Sequence, residues 1–267
     1  MKLSITTDYL EDRGDPSPYL RRIAEAGFSG VHWCHQWNTD FVYCRWEIEQ
    51  IGRWLGELGL AMVDLHGPVG PEKDWGSRRE YERLAGVELV ANRMEMVAQL
   101  GSDVVIMHLP AEPEWDGMRR SLDALEPVSR RLGVRVAVEN IEFAPVERVL
   151  EWYEPSFVGL CYDSGHGNLR PGGLDWLESR KDRLISVHLH DNRGGRDEHN
   201  PLFSGTVDWA RLAGIVARSS YGKCVSMEVT MKDSGIADET AFLRTVHETG
   251  GRLSQMIEAE RQALPGR

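Results

Sequence analysis

Short apolar runs of strand type alternate along the chain with longer amphipathic stretches, the pattern of βαβ units around a parallel sheet. Eight such runs recur, at 3–6, 30–33, 61–65, 103–107, 135–138, 158–162, 184–188 and 224–227. Between the early runs the amphipathic stretches end on Gly27, Gly59, Gly101 and Gly133, where a helix C-terminal turn calls for positive φ. Residues 46–58 and 82–100 carry apolar side chains at spacings of three and four, which predicts helices covering the sheet from outside. Eight strand–helix repeats in 267 residues suit one (β/α)8 barrel, for which roughly 250 residues is typical. No Pro/Ser-rich linker divides the chain, so a single α/β domain, a TIM barrel over 1–267, is expected, its last helix fraying at the end. Two connections, 67–77 and 191–208, are long and both follow strands, where functional loops are common.

The barrel reading directs attention to the C-terminal ends of the strands, where the chemistry of such folds sits. Almost every run ends on a metal-ligand residue type. MVDLH ends at His66, VVIMH at His108 and VAVEN at Glu139, while YDSGH supplies Asp163 and His166. SVHLHD places His188 and His190 two apart and hence on one face, RDEH adds Asp197 and His199, and SMEV ends at Glu228. Singly, each has a structural explanation, such as a helix cap at Asp163 or a solvated loop at Asp197. Together they would be costly to bury without a cation to compensate them. Asp208 in TVDW is expected to cap the helix that follows. The segment GVHWCHQWN, with His32, Trp33, His35 and Trp37, reads equally as an aromatic packing element or as the wall of a sugar pocket.

Charge and cysteine content narrow the function. A net charge of −11 disfavours phosphate backbones and anionic lipid, and no run of 18 apolar residues exists to cross a membrane. Cys34, Cys44, Cys161 and Cys224 form no CxxC pair, so reduced thiols are expected. The amino-terminal residues lack the features of a signal peptide, and the expectation is a soluble cytoplasmic protein. Dinucleotide, P-loop and serine-hydrolase motifs are absent.

At these strand ends the sequence resembles the xylose isomerase-like barrel superfamily, which includes sugar phosphate isomerases and epimerases, hydroxypyruvate isomerase, inosose dehydratase and endonuclease IV. VEN, YDSGH, HLHDN, DEH and MEV carry the resemblance in order, over nearly the whole chain. For the sugar branch it implies a divalent metal, Mn, Zn, Co or Mg, held by Glu139, Asp163, His188 and Glu228. Glu139 and Glu228 would move the substrate proton through an enediolate. Trp33, His35, Trp37, His166 and His190 would line the pocket of a small carbohydrate. For the nuclease branch it implies up to three zinc ions on a fuller set that adds His66, His108, His166, Asp197 and His199. The aromatic segment and the absence of basic loops favour the sugar branch, with nucleic acid an unfavoured partner. Substrate identity and a homo-oligomeric state stay open at this point.

Overall fold

Leu3, Ile5, Val31, Val105, Val136, Val138, Leu160, Val187 and Val225 sit in one buried cluster with the apolar stripes of the helices, and this shell positions everything else. The computed structural model describes residues 1–37, 41–68 and 74–264. Its elements run β1 (Lys2–Thr6), α1 (Ser17–Glu25), β2 (Gly30–Trp33), α2 (Arg45–Leu58), β3 (Ala61–His66), α3 (Glu80–Gln99), β4 (Val104–Met107) and α4 (Trp115–Leu132). They continue as β5 (Arg135–Glu139), α5 (Phe143–Trp152), β6 (Val158–Asp163), α6 (Ser164–Asn168), α7 (Gly173–Arg180), β7 (Leu184–His188), α8 (Trp209–Arg218), β8 (Cys224–Met227) and α9 (Glu239–Ala263). The strands are parallel neighbours in the order β7-β6-β5-β4-β3-β2-β1-β8.

The sheet closes into a barrel just past β7, where Leu189 N–H donates to Ser226 O at 3.0 Å and Glu228 N–H to Leu189 O at 3.2 Å. Eight parallel strands surrounded by helices make this the (β/α)8 TIM barrel expected from the runs. Gly27, Gly59, Gly101 and Gly133 all have positive φ, between 67° and 95°, at the turns that end α1 to α4. Asp208 caps α8 by accepting from Arg211 N–H at 3.0 Å. All four cysteines are free thiols. Residues 69–73 of the connection 67–77, Asn38 of the aromatic segment and the end of the last predicted helix lie outside the described residues. Among the described residues no helix is long and apolar enough to cross a membrane.

Side chains alternate along the strands, so the partners of the shell residues point into the barrel, and at β7 a register shift against β6 turns both Ile185 and Ser186 inward. Under β4 to β7 they form a small apolar cluster of Val104, Ile106, Ala137, Cys161 and Ile185. Under β7, β8 and β1 to β3 they are polar: Ser4, Thr6, His32, Asp64, Ser186 and Ser226 are fully buried. That asymmetry puts the barrel's polar interior directly below the strand ends that carry the site.

Candidate metal centre

Glu139 ends β5, Asp163 ends β6, His188 ends β7 and Glu228 follows β8, and one donor atom from each lies within 4.8 Å of every other. His188 Nδ1 is 3.1 Å from Glu139 Oε2 and 2.9 Å from Glu228 Oε2. Two further groups flank this one. His66, at the end of β3, donates Nδ1–H to Gly67 O at 2.9 Å, leaving Nε2 to face His108 Nε2 at 3.1 Å; His108 Nε2 is in turn 3.4 Å from Glu139 Oε2. On the other flank His199 donates Nδ1–H to Glu228 O at 2.8 Å and presents Nε2 to Asp197 Oδ2 at 3.0 Å. His166 joins it through Asp197 Oδ2 at 3.3 Å, and His190 Nε2 sits 3.0 Å from Asp163 Oδ2.

The long connection after β7 is what delivers Asp197 and His199. Its base is held by Asp191, which is fully buried, accepts from Val207 N–H at 3.1 Å and from Trp209 Nε1–H at 2.9 Å, and pairs backbone to backbone with Asn200. Asn192 fastens the other side by donating to Gly165 O at 3.0 Å. His199 itself takes positive φ, 46°, an uncommon conformation for a residue with a side chain.

Two observations fit these residues to divalent cations. Two ligands bonded at about 2.1 Å to a tetrahedral ion lie roughly 3.4 Å apart, and the contacts between donor atoms above run from 2.9 to 3.4 Å. Buried polar atoms also lack hydrogen-bond partners here: Glu139 Oε2, Asp163 Oδ2, His166 Nδ1 and both ring nitrogens of His188 and His190. Such atoms are expensive to leave unsatisfied in a dry site. Mixed imidazole and carboxylate donors suit zinc, manganese or cobalt better than magnesium.

In the metal-free protein the same proximity moves protons onto the rings. Burial opposes it, but Asp163, Asp197 and Glu139 carry His166 up to about 12, and Asp197 and Glu228 carry His199 to about 10. His188 is likewise raised well above the usual imidazole range against its burial, and Glu139 and Glu228 are held well below theirs by His188 despite their own burial. His66 goes the other way, to about 4, through burial and the neighbouring His108. Ligation needs deprotonated nitrogen, and a raised pKa means the ring is protonated at neutral pH. Metal uptake at pH 7 is therefore expected to release protons, at least one per ion, and apparent affinity to rise as pH rises. Calorimetry in buffers of different ionisation enthalpy measures this; uptake without proton release would refute the charged-ring description.

Nine of the residues expected from the sequence thus meet at the mouth: Glu139, Asp163, His188, Glu228, His66, His108, His166, Asp197 and His199. His190, expected to touch substrate, is fully buried among Asp163, Asp197 and His199. Trp33, His35 and Trp37 are not brought to this group. Trp33 follows His32 on β2 and so faces outward, 2% exposed in the shell. The His35 ring donates Nε2–H to Gly14 O at 2.9 Å, its carbonyl accepts from Tyr43 Oη at 2.8 Å, and Trp37 packs on Trp54 and Trp46 of α2. Two carboxylates escaped the sequence reading. Asp64, in mid-strand on β3, is fully buried inside the barrel. Asp8, just past β1, has its carboxyl pushed up by burial and by Glu228, against the bond from Thr6 Oγ1. Asp64 was detectable, because it stands two residues from His66 and shares its face.

A family model described as "Xylose isomerase-like TIM barrel" matches residues 20–246. The chain belongs to that family. An uncharacterised protein of Sinorhizobium fredii is 30% identical over 279 residues, covering 91% of this chain and 89% of its own. An inosose dehydratase of Bacillus velezensis is 24% identical over 193 residues, 68% of this chain and 60% of its own. Among solved structures, an L-ribulose 3-epimerase superposes with a TM-score of 0.75 at 15% identity over 100% of both chains, a likeness of fold.

Proposed function

We propose that this xylose isomerase-like barrel is a divalent-metal-dependent isomerase or epimerase of a sugar, sugar phosphate or related keto compound. The observation that carries the reading is the convergence of Glu139 and Glu228, from strands separated by β6 and β7, on the one nitrogen of His188. The activities for which the relatives are named, a sugar epimerase and an inosose dehydratase, support the same substrate class.

Both glutamates are ionised at neutral pH and can accept a proton. Held well below the ordinary carboxylate range by His188, they are weak bases, so the carbon acid they attack must itself be acidified. A divalent ion on Glu139, Asp163, His188 and Glu228 would supply that acidification by polarising the substrate carbonyl. One glutamate then removes the proton from the carbon beside the carbonyl, and one of the two returns it to a neighbouring atom or to the opposite face of the enediolate. His188, pinned between them, keeps both carboxylates aimed at the same point. His166, 14% exposed at the rim, is placed to hydrogen-bond a substrate oxygen.

The flanking groups favour a second reading, a multi-zinc phosphodiesterase, because they offer donors for more than one ion. The net charge of −11 weighs against a nucleic-acid substrate. Incubation in heavy water with a panel of ketoses, keto acids and their phosphates is expected to place deuterium on the carbon beside the carbonyl of the true substrate or a near analogue. Absence of exchange across the panel, with cleavage of an abasic-site oligonucleotide abolished by His199→Ala, would replace this reading with the second.

A further inference from the structure

The chemistry above uses nothing from β2, yet β2 sends a histidine to the floor of the same site. His32 is fully buried, and its Nδ1–H donates to Asp64 Oδ1 at 2.8 Å. Asp64 is fully buried as well and also accepts from Ser186 Oγ. An anionic carboxylate that takes the Nδ1 proton fixes the tautomer, so the remaining function of the ring is the Nε2 lone pair.

That Nε2 has no hydrogen-bond partner. It lies 4.0 Å from Glu228 Oε1, and the His32 ring centroid is 4.4 Å from that of His188. Donor atoms of His32, His188 and Glu228 all fall within 4.8 Å of one another. A separation of 4.0 Å is too long for a hydrogen bond. It stays below the roughly 4.2 Å that is the greatest separation two donors bonded at about 2.1 Å to one ion can have. A purely structural buried histidine would satisfy its second nitrogen, because leaving it unmade costs about 1–3 kcal/mol. The carboxylate–histidine arrangement is the one by which proteins orient metal-bound imidazoles.

We propose that His32 is a further protein ligand to the cation of the Glu139–Asp163–His188–Glu228 centre, entering on its His188–Glu228 edge, with Asp64 as the residue that positions it. The proposal rests on the metal-dependent reading of that centre. It extends the ligand set to β2 and gives the polar interior of the barrel a purpose.

The test uses Co(II) alone as probe on the full-length chain after chelator treatment. Affinity and visible absorption are followed through three equivalents for the wild type, His32→Ala and Asp64→Asn. Both variants are expected to lose about 10–100-fold in affinity for one equivalent. His32→Ala should also change the Co(II) d–d bands, and because it leaves the buried Asp64 without its ring partner it should lower the melting temperature of the metal-free protein as well. Should His32→Ala fail to fold, Asp64→Asn keeps the ring and the near-identical shape and carries the test by itself. Unchanged affinity, or weakened affinity with an unchanged Co(II) spectrum in His32→Ala, would overturn the assignment of His32 while leaving the centre standing. A wild type that binds no Co(II) would overturn the metal reading itself.

Discussion

Glu139→Gln and Glu228→Gln are each expected to lower turnover by about 10²–10⁴-fold, the usual contribution of a positioned acid–base group, while the protein still takes up metal. Glutamine keeps an oxygen where the carboxylate stood but cannot accept a proton at neutral pH. Both side chains are buried or nearly so and face the same nitrogen of His188, at 3.1 and 2.9 Å, so solvent has little access to stand in for either. The amide also removes a negative charge from beside His188, which lowers the affinity for a cation; measuring Co(II) binding alongside turnover separates the two effects. Turnover that survives in both variants would show that the proton does not travel between these glutamates.

Gly165→Ala is expected to damage the site from outside the ligand set. An added methyl at Gly165 would overlap the ring of His190. That ring has nowhere to go: it is fully buried and stacks on His199 with centroids 4.0 Å apart and planes 8° from parallel. Its backbone is stitched to Ser164 by two bonds, at 2.7 and 3.0 Å. Overpacking of this kind costs about 1–3 kcal/mol, and the group of His190, Asp197 and His199 would lose its geometry. Denaturant unfolding and a metal titration should show both losses together. Gly251→Ala in α9, where a methyl meets nothing within 4 Å, provides the control and should be neutral or more stable by up to about 1 kcal/mol. A Gly165→Ala protein as stable as the control, binding as much metal, would mean that His190 moves freely.

Much of this architecture was legible because it rests on short-range rules. The strand runs at 30–33, 184–188 and 224–227 coincide with β2, β7 and β8, and the remaining runs fall within one residue of their strands at either end. The glycines ahead of the strands mark left-handed turns because side chains are disfavoured there. Strand ends are equally readable, since parallel closure brings them all to one mouth. Of the two readings of Trp33, parity favours the packing one, as its neighbour His32 occupies the inner face and Trp33 lies in the outer shell. The bond between His32 and Asp64 joins residues 32 apart through barrel curvature, and no spacing along the chain encodes it. The partnership of His190 with Asp163 rather than with an open pocket depends likewise on how the connection 191–208 folds back over the mouth.

The two hydrogen bonds through Leu189 that close the barrel lie between the carriers of the site, with His188 and His190 on one side of the seam and Glu228 on the other. An ion gripped from both sides would act as a rivet across the last join in the cylinder. Parting the seam and releasing the ion would then be one event, and occupancy of the mouth would set how often this end of the barrel breathes.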